Sequence, residues 1–415
     1  MLVRIHVKQL RLGMFVHELC GSWMDHPFMR GAFLLDDPKD LKTLLATSIK
    51  EVWIDTAKGI GIATENDDNE GETVEEVAAE VEATLARADK VTPVVERVNI
   101  AQEAVRAVKI CAKSKQAVSS MFQEARMGKA LDAKDALPIV EEISTSVMRN
   151  PGALISLARL KDKDDYTYMH SVAVCALMVS LSRQLGLDEE QTRLAGLAGL
   201  LHDVGKMMIP LGILNKPGKL TDPEFNTVRD HPSQGHKMLL EGKGISEIAL
   251  DVCLHHHEKM DGSGYPEKLT CEQISLYAKM GAVCDVYDAI TSNRPYKNGW
   301  EPAESLRKMA EWSSGHFDTR IFQAFVKSIG IYPIGSLVKL ESNRLGVIIE
   351  QTGKSLLTPM VKVFFSIKSN TRIPHEILDL SKPACKDKII SHEDPVKWGI
   401  GDIQELWSDM PVTPW

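Results

Sequence analysis

The sequence has no CxxC pair, and its seven cysteines are an odd number. That argues against a thiolate metal site of the usual spacing and against a disulfide framework, and it fits reduced, mostly buried thiols. No apolar run approaches the roughly 18 residues that a membrane-spanning helix needs. The opening "MLVRIHVKQLRLGMF" is interrupted by charge every few positions, so no secretion signal is expected and the cytoplasm is the expected location. Basic excess is missing too: 49 Lys and Arg stand against 57 Asp and Glu, a net charge of −8. A nucleic-acid polymer is therefore not an expected partner, whereas a small anion is acceptable if a local basic pocket or metal ions receive it. There is no internal repeat.

Lys and Arg are absent between Lys58 and Arg87, where "ENDDNEGETVEEVAAEVE" is densely acidic. This stretch reads as a solvated linker. It divides a chain of 415 residues, long enough for two or three units. Before it, Val3, Ile5 and Val7 alternate as in a strand, Phe33–Leu35 and Val52–Ile54 suggest two more, and "DPKDLKTLLATSIK" has an Asp-Pro helix start. Residues 1–64 are thus expected to form a small α/β module, and 65–134 the acidic linker and a connecting helix. The apolar pattern of that helix, across 92–127, suits dimerisation. Consecutive amphipathic helices fill 135–332. The last unit, 333–415, is a β-rich tail in which "SLVKLESNRLGVIIE" and "MVKVFFSI" predict a short β-hairpin.

Eight of the 13 histidines lie between His170 and His316. His170 shares a stripe with Val174, Leu177 and Leu181, so it faces a helix core. A single histidine of this kind is usually a hydrogen-bonded core residue. The next helix weighs against that: Leu194, Leu197 and Leu201 lie on one face, and the helix then ends in His202 and Asp203. A buried, unpaired carboxylate is costly, and a cation removes the cost. Gly205 allows a tight turn there, and Lys206 follows within reach of the same cavity. His231, fixed by the proline after it, is the better inward candidate; His236 belongs to the helix surface or to ligand support. His256 and His257 come next. Asp285 then sits on the apolar face of Ile274, Ala278 and Ala282, and Asp288, one turn later, is placed to orient a ligand or to touch substrate.

The set His170, His202, Asp203, His231, His256, His257 and Asp285 exceeds what one tetrahedral zinc needs. Its N/O donors suit iron or manganese as well as zinc. A shared carboxylate and surplus imidazoles predict a two-metal centre, which clamps a phosphate and activates a hydroxide for in-line attack. Arg294 and Lys297, in "SNRPYK", are placed to meet phosphate oxygens. In "HHHEKMDGSGYP", His255 is the extra histidine, Glu258 is expected to hydrogen-bond the two ligand histidines, and the glycines and Pro266 turn the chain so that Tyr265 stands beside the site.

"HDVGK" and "HHEKMDGSGYP", with "LNKPGKLT", "HPSQGH", "CDVYDAITSNRPYK" and "GHFD" in order, resemble the HD-GYP family, a branch of the HD superfamily of metal-dependent phosphohydrolases. The resemblance covers roughly Tyr166 to Ile331; "RLGMFV" and the general layout resemble, more loosely, an N-terminal module that accompanies such domains. It implies a mainly α fold: an HD-type helical bundle with the small α/β module in front and the hairpin tail behind. It also implies hydrolysis of cyclic di-GMP to the linear dinucleotide pGpG and, as often in the family, on to GMP. Position by position, it implies two divalent metals, iron or manganese, on the seven ligands named, with Asp203 bridging and Asp203 and Lys206 catalytic. Substrate contacts are implied for Lys206, Tyr265, Asp288, Arg294 and Lys297. Partners implied are a second copy of the chain and proteins such as diguanylate cyclases at the GYP loop. Family members with a third metal carry glutamate four residues before the first ligand histidine; Tyr166 stands there, which predicts two metals. Two alternatives stay open: hydrolysis of cyclic GMP-AMP or another nucleotide, and a nucleotide-binding signalling module without turnover.

Overall fold

The structure, a computed structural model, describes residues 1–21, 32–47, 49–62, 71–86, 98–159, 166–214, 216, 220–292, 299–352 and 355–410. The N-terminal module is a five-stranded antiparallel sheet in the order β3-β2-β4-β1-β5. Its strands are β1 (Leu2–His6), β2 (Phe15–Leu19), β3 (Phe33–Leu34), β4 (Glu51–Asp55) and β5 (Glu72–Thr73), with α1 (Pro38–Leu45) between β3 and β4. The alternation in β1 buries Val3 and Ile5 in a small core with Val16, Leu35, Val52 and Ile54. Asp37 caps α1 by accepting from the Lys39 amide, as the Asp-Pro start predicts.

Part of the acidic stretch is folded. Residues 72–86, read from composition as linker, form β5 and α2 (Val74–Ala86). Val77, Val81 and Leu85 recur at helical spacing and are buried, while the glutamates between them face water. Net charge hid an amphipathic helix. Residues 63–70 and 87–97 lie outside the described residues.

The bundle comprises α3 (Ile100–Arg126), α4 (Ala133–Arg149), α5 (Pro151–Ala158), α6 (Tyr166–Gln184), α7 (Glu189–Leu201), α8 (Leu211–Leu214), α9 (Asp222–Arg229), α10 (His231–Leu240), α11 (Glu247–His255), α12 (Leu276–Thr291), α13 (Pro302–His316) and α14 (Thr319–Ile329). Helix α3 is more than a connector. Ala104, Ala107, Cys111, Val118 and Phe122 are buried against the other helices, while Val105 is exposed.

The expected C-terminal hairpin is present as β7 (Arg344–Glu350) and β8 (Met360–Ser366), paired antiparallel. It forms the middle of a larger sheet, β10-β6-β7-β8-β9, completed by β6 (Leu337–Leu340), β9 (Thr371–Asp379) and β10 (Ile389–Glu393), with α15 (Ile403–Ser408) behind it. Val338, Val347, Val361 and Phe364 share one core with α3 to α7, which fixes the sheet to the bundle. A second core joins α6, α7 and α11 to α14 with α2, Cys20 and Trp53, which fixes the N-terminal module. Polar contacts reinforce that seam: Trp53 Nε1 donates to Glu311 Oε1 at 2.8 Å, and Lys308 pairs with Glu18 at 2.9 Å.

Candidate metal centre

Five helices converge on one buried spot. His170 projects from α6, His202 and Asp203 leave the end of α7, His231 opens α10, His256 and His257 follow α11, and Asp285 projects from α12. All seven side chains are buried. Three groups have donor atoms mutually within 4.8 Å: His231–His256–His257, His170–His202–Asp285 and His202–Asp203–His256. Asp203 lies between the first two groups, with Oδ1 at 3.1 Å from His231 Nε2 and Oδ2 at 3.3 Å from His170 Nε2. The seven expected ligands are thus brought together.

Four of the five imidazoles are oriented from behind. His202 Nδ1 donates to the Gly199 carbonyl at 2.8 Å, His231 Nδ1 to Val228 at 2.7 Å, and His256 Nδ1 to Val252 at 3.0 Å. His170 Nδ1 donates to Asp288 Oδ2 at 2.6 Å. With Nδ1 committed in this way, Nε2 is the atom of each of these rings that faces the centre. His231 Nε2 and His256 Nε2 then face each other at 3.3 Å with no proton between them. Two lone pairs at that distance repel unless a cation joins them. His202 Nε2, Asp203 Oδ1, His257 Nε2 and Asp285 Oδ2 are also buried without a hydrogen-bond partner. These orphaned atoms fit divalent cations, with the outer hydrogen bonds that such ligands normally have.

The electrostatics agree. Burial, with His202 and His231 adding repulsion, pushes the His256 imidazole down to about 3. Burial and the adjacent His256 hold His257 well below its ordinary value. Burial alone would raise the Asp203 carboxyl, but Lys206 and His202 hold it well below the usual carboxylate range. Asp285 is held down likewise by His170 and His202. Against burial, Asp203 raises His202 to about 10. The carboxylates are therefore ionised, and they attract protons or cations to the ring nitrogens they face.

Close backbone packing is needed to bring α7 and α10 together. A Cβ on Gly205 would stand 1.9 Å from the His231 carbonyl oxygen and 2.5 Å from the Gly235 nitrogen. Gly205 is thus required for approach as well as for turning. Lys206 places Nζ on Asp203 Oδ2 and is 20% exposed, so its charge reaches the rim of the site.

The loop after the histidines follows the expected course with one correction. Tyr265 stacks on His257, ring centroids 4.8 Å apart and planes 26° from parallel. Glu258 does not support the histidines: its buried carboxylate accepts from the amides of Glu267, Lys268 and Leu269 at 2.7, 3.0 and 3.1 Å, tying the loop's far end to its start. Asp288, for which the sequence left ligand orientation and substrate contact both open, is buried behind His170 and accepts from its Nδ1. His255 is set apart on Asp251 and Glu267, and His236 is half-buried on α10 outside the three groups. Arg294 and Lys297 lie outside the described residues, and so does the side chain of Tyr166. The carbonyls of Gly199 and Val228 were not foreseen, although a histidine at a helix end three residues after a free carbonyl is a recognisable signal. Arg229, whose guanidinium lies 4.5 Å from the centroid of the Tyr265 ring, was also missed.

Comparison with known proteins places this geometry in a family. Residues 150–321 match the HD domain family, and residues 2–136 match a domain of unknown function, DUF3391. The chain is 55% identical over 411 residues, 99% of its length and 96% of the relative's, to a cyclic di-GMP phosphodiesterase of Pseudomonas aeruginosa. It belongs to the HD-GYP family. Similarity extends to a cyclic di-GMP phosphodiesterase response regulator of Xanthomonas campestris, 40% identical over 35% of this chain and 39% of that one. A 3'3'-cGAMP-specific phosphodiesterase of Vibrio cholerae is 35% identical over 40% of this chain and 38% of that one. As an HD-domain protein this HD-GYP chain binds divalent metal. No helix among its described residues is long and apolar enough to cross a membrane.

Proposed function

We propose that this chain is a metal-dependent phosphodiesterase that opens cyclic di-GMP to linear pGpG. The observation that carries the reading is the pair of facing Nε2 lone pairs on His231 and His256 beside buried Asp203, with Lys206 at the rim. The full-length likeness to a cyclic di-GMP phosphodiesterase supports the substrate.

In this reading His170, His202, Asp203, His231, His256, His257 and Asp285 would hold two metals, iron or manganese. The donor set of imidazoles and carboxylates without thiolate supports that choice. When bound, such metals supply Lewis acidity toward the phosphodiester and activation of water. The chain's own residues do the rest. Asp288 keeps the proton on His170 Nδ1, and the Gly199, Val228 and Val252 carbonyls do the same for their histidines, so that no ligand has to reorient. Lys206 offers its ammonium to the scissile phosphate, with Arg294 and Lys297 as further phosphate contacts. Tyr265 covers one face of His257 and keeps bulk water from it. The same proposal places the enzyme in the cytoplasm, with the GYP loop as the surface for a diguanylate cyclase and a second copy of the chain as a further partner.

Purified protein incubated with cyclic di-GMP, and products separated by chromatography, should yield pGpG; Asp203→Ala should yield none. If wild-type protein holds its metals and binds the nucleotide but releases no linear product, a binding module without turnover is the better description. If 3'3'-cGAMP is cleaved far faster, the substrate assignment changes.

A further inference from the structure

Arg229 ends α9, two residues before His231, and Val228, the residue before Arg229, holds the His231 ring through its carbonyl. Its guanidinium lies over two aromatic rings, 4.5 Å from the centroid of Tyr265 and 6.0 Å from that of Phe225 one turn earlier. Tyr265 in turn stacks on His257. Three planar groups are therefore layered outward from the metal centre: imidazole, phenol, guanidinium. No carboxylate pairs with Arg229 among the described residues, unlike Lys206, which is committed to Asp203. Aromatic faces hold a guanidinium in place without neutralising it, and they leave its N–H edge free for a planar or tetrahedral anion.

We infer that Arg229 is a substrate-binding residue that takes the second, non-scissile phosphate of a cyclic dinucleotide. The inference rests on the proposed phosphodiesterase reading and deepens it. A cyclic dinucleotide carries two phosphodiesters across one ring. With one at the metal centre beside Lys206, the other falls toward the rim, and Arg229 is a cation held there in fixed register with His257 through Tyr265. Arg229 thereby selects substrates with two phosphates over simple diesters.

The test uses metal-loaded full-length protein and two substrates: cyclic di-GMP, and bis(p-nitrophenyl) phosphate, which has one phosphodiester. Arg229→Gln should raise KM for cyclic di-GMP about tenfold or more, as expected for a lost charge-assisted hydrogen bond, with a much smaller fall in kcat. The loss on the one-phosphate diester should be several-fold smaller. Arg229→Lys should recover part of the affinity, since it restores charge but not the fork. Equal losses on both substrates, or an unchanged KM for cyclic di-GMP, would overturn the assignment and leave Arg229 a support for Tyr265. Wild-type protein that cleaves only the simple diester would instead overturn the cyclic-dinucleotide reading, and this inference with it, before any variant is compared.

Discussion

At the scale of single residues, the centre is built from orphans: buried nitrogens and oxygens left without hydrogen-bond partners until a cation satisfies them. The residues behind them decide how tightly it is held. Asp288→Asn keeps the shape of the side chain but weakens its hold on the His170 proton. We expect metal affinity to fall by about 10- to 100-fold, read as metal retained after dialysis, with the thermal midpoint of the metal-free protein nearly unchanged. Gly205→Ala acts differently, by volume. The added methyl cannot coexist with the His231 carbonyl, so α7 and α10 must part. A destabilisation of about 1–3 kcal/mol in denaturant titration, together with loss of activity, is the expected result. Most ligand residues were legible in the sequence because polar groups on apolar helix faces need a reason to be there. Arg229 was not, because its partners are rings distant in the chain and it lies on no apolar stripe.

Elements differ in how openly they announce themselves. Strand β1 and the hairpin of β7 and β8 were readable from alternation. Strand β2 was not anticipated, since "FVHEL" is short and mixed, and its pairing with β4 decides its state. Helix α2 was concealed by its charge, and the burial of α3 within the chain was not legible because an apolar stripe does not say which surface will cover it. Helix α13 shows how an element end can sense pH. Glu301 caps it by accepting from the Ala303 amide, and loss of water pushes the Glu301 carboxyl up to about 7, with Arg159 opposing. Between its ordinary 4.5 and about 7 the folded chain keeps a proton that the unfolded chain releases, so stability falls as pH rises through that window. His392, raised by Glu304 on the same helix, adds in the same direction: its stabilisation is present in acid and lost as pH climbs through its folded value. Glu301→Gln should therefore flatten the decline in thermal midpoint between about pH 5 and about pH 8. A variant with the wild-type slope would show that Glu301 does not titrate in that range.

For the molecule as a whole, the metal centre lies where α6, α7, α10, α11 and α12 meet, so metal binding and folding are coupled. Stripping bound divalent metal with a chelator should lower the thermal midpoint by several degrees, and re-addition of divalent metal should restore it, because ligands that bind only the folded state stabilise it by mass action. The N-terminal module reaches the same region from outside: Lys50 pairs with Asp261 in the GYP loop, and the Gly315 and His316 carbonyls at the end of α13 accept from the Asp261 and Met260 amides. The two matched family segments end at 136 and begin at 150, inside and just past α4, whereas the core ignores that border: Phe122 and Ile143 are fully buried with Val172 and Leu200. A protein engineer who transplants 150–321 as a self-contained catalytic cassette would strip α3 from that core. The physical unit of inheritance in this chain is therefore larger than the recognisable one, and recombination or gene fusion should preserve function only when the seam falls outside both shared cores.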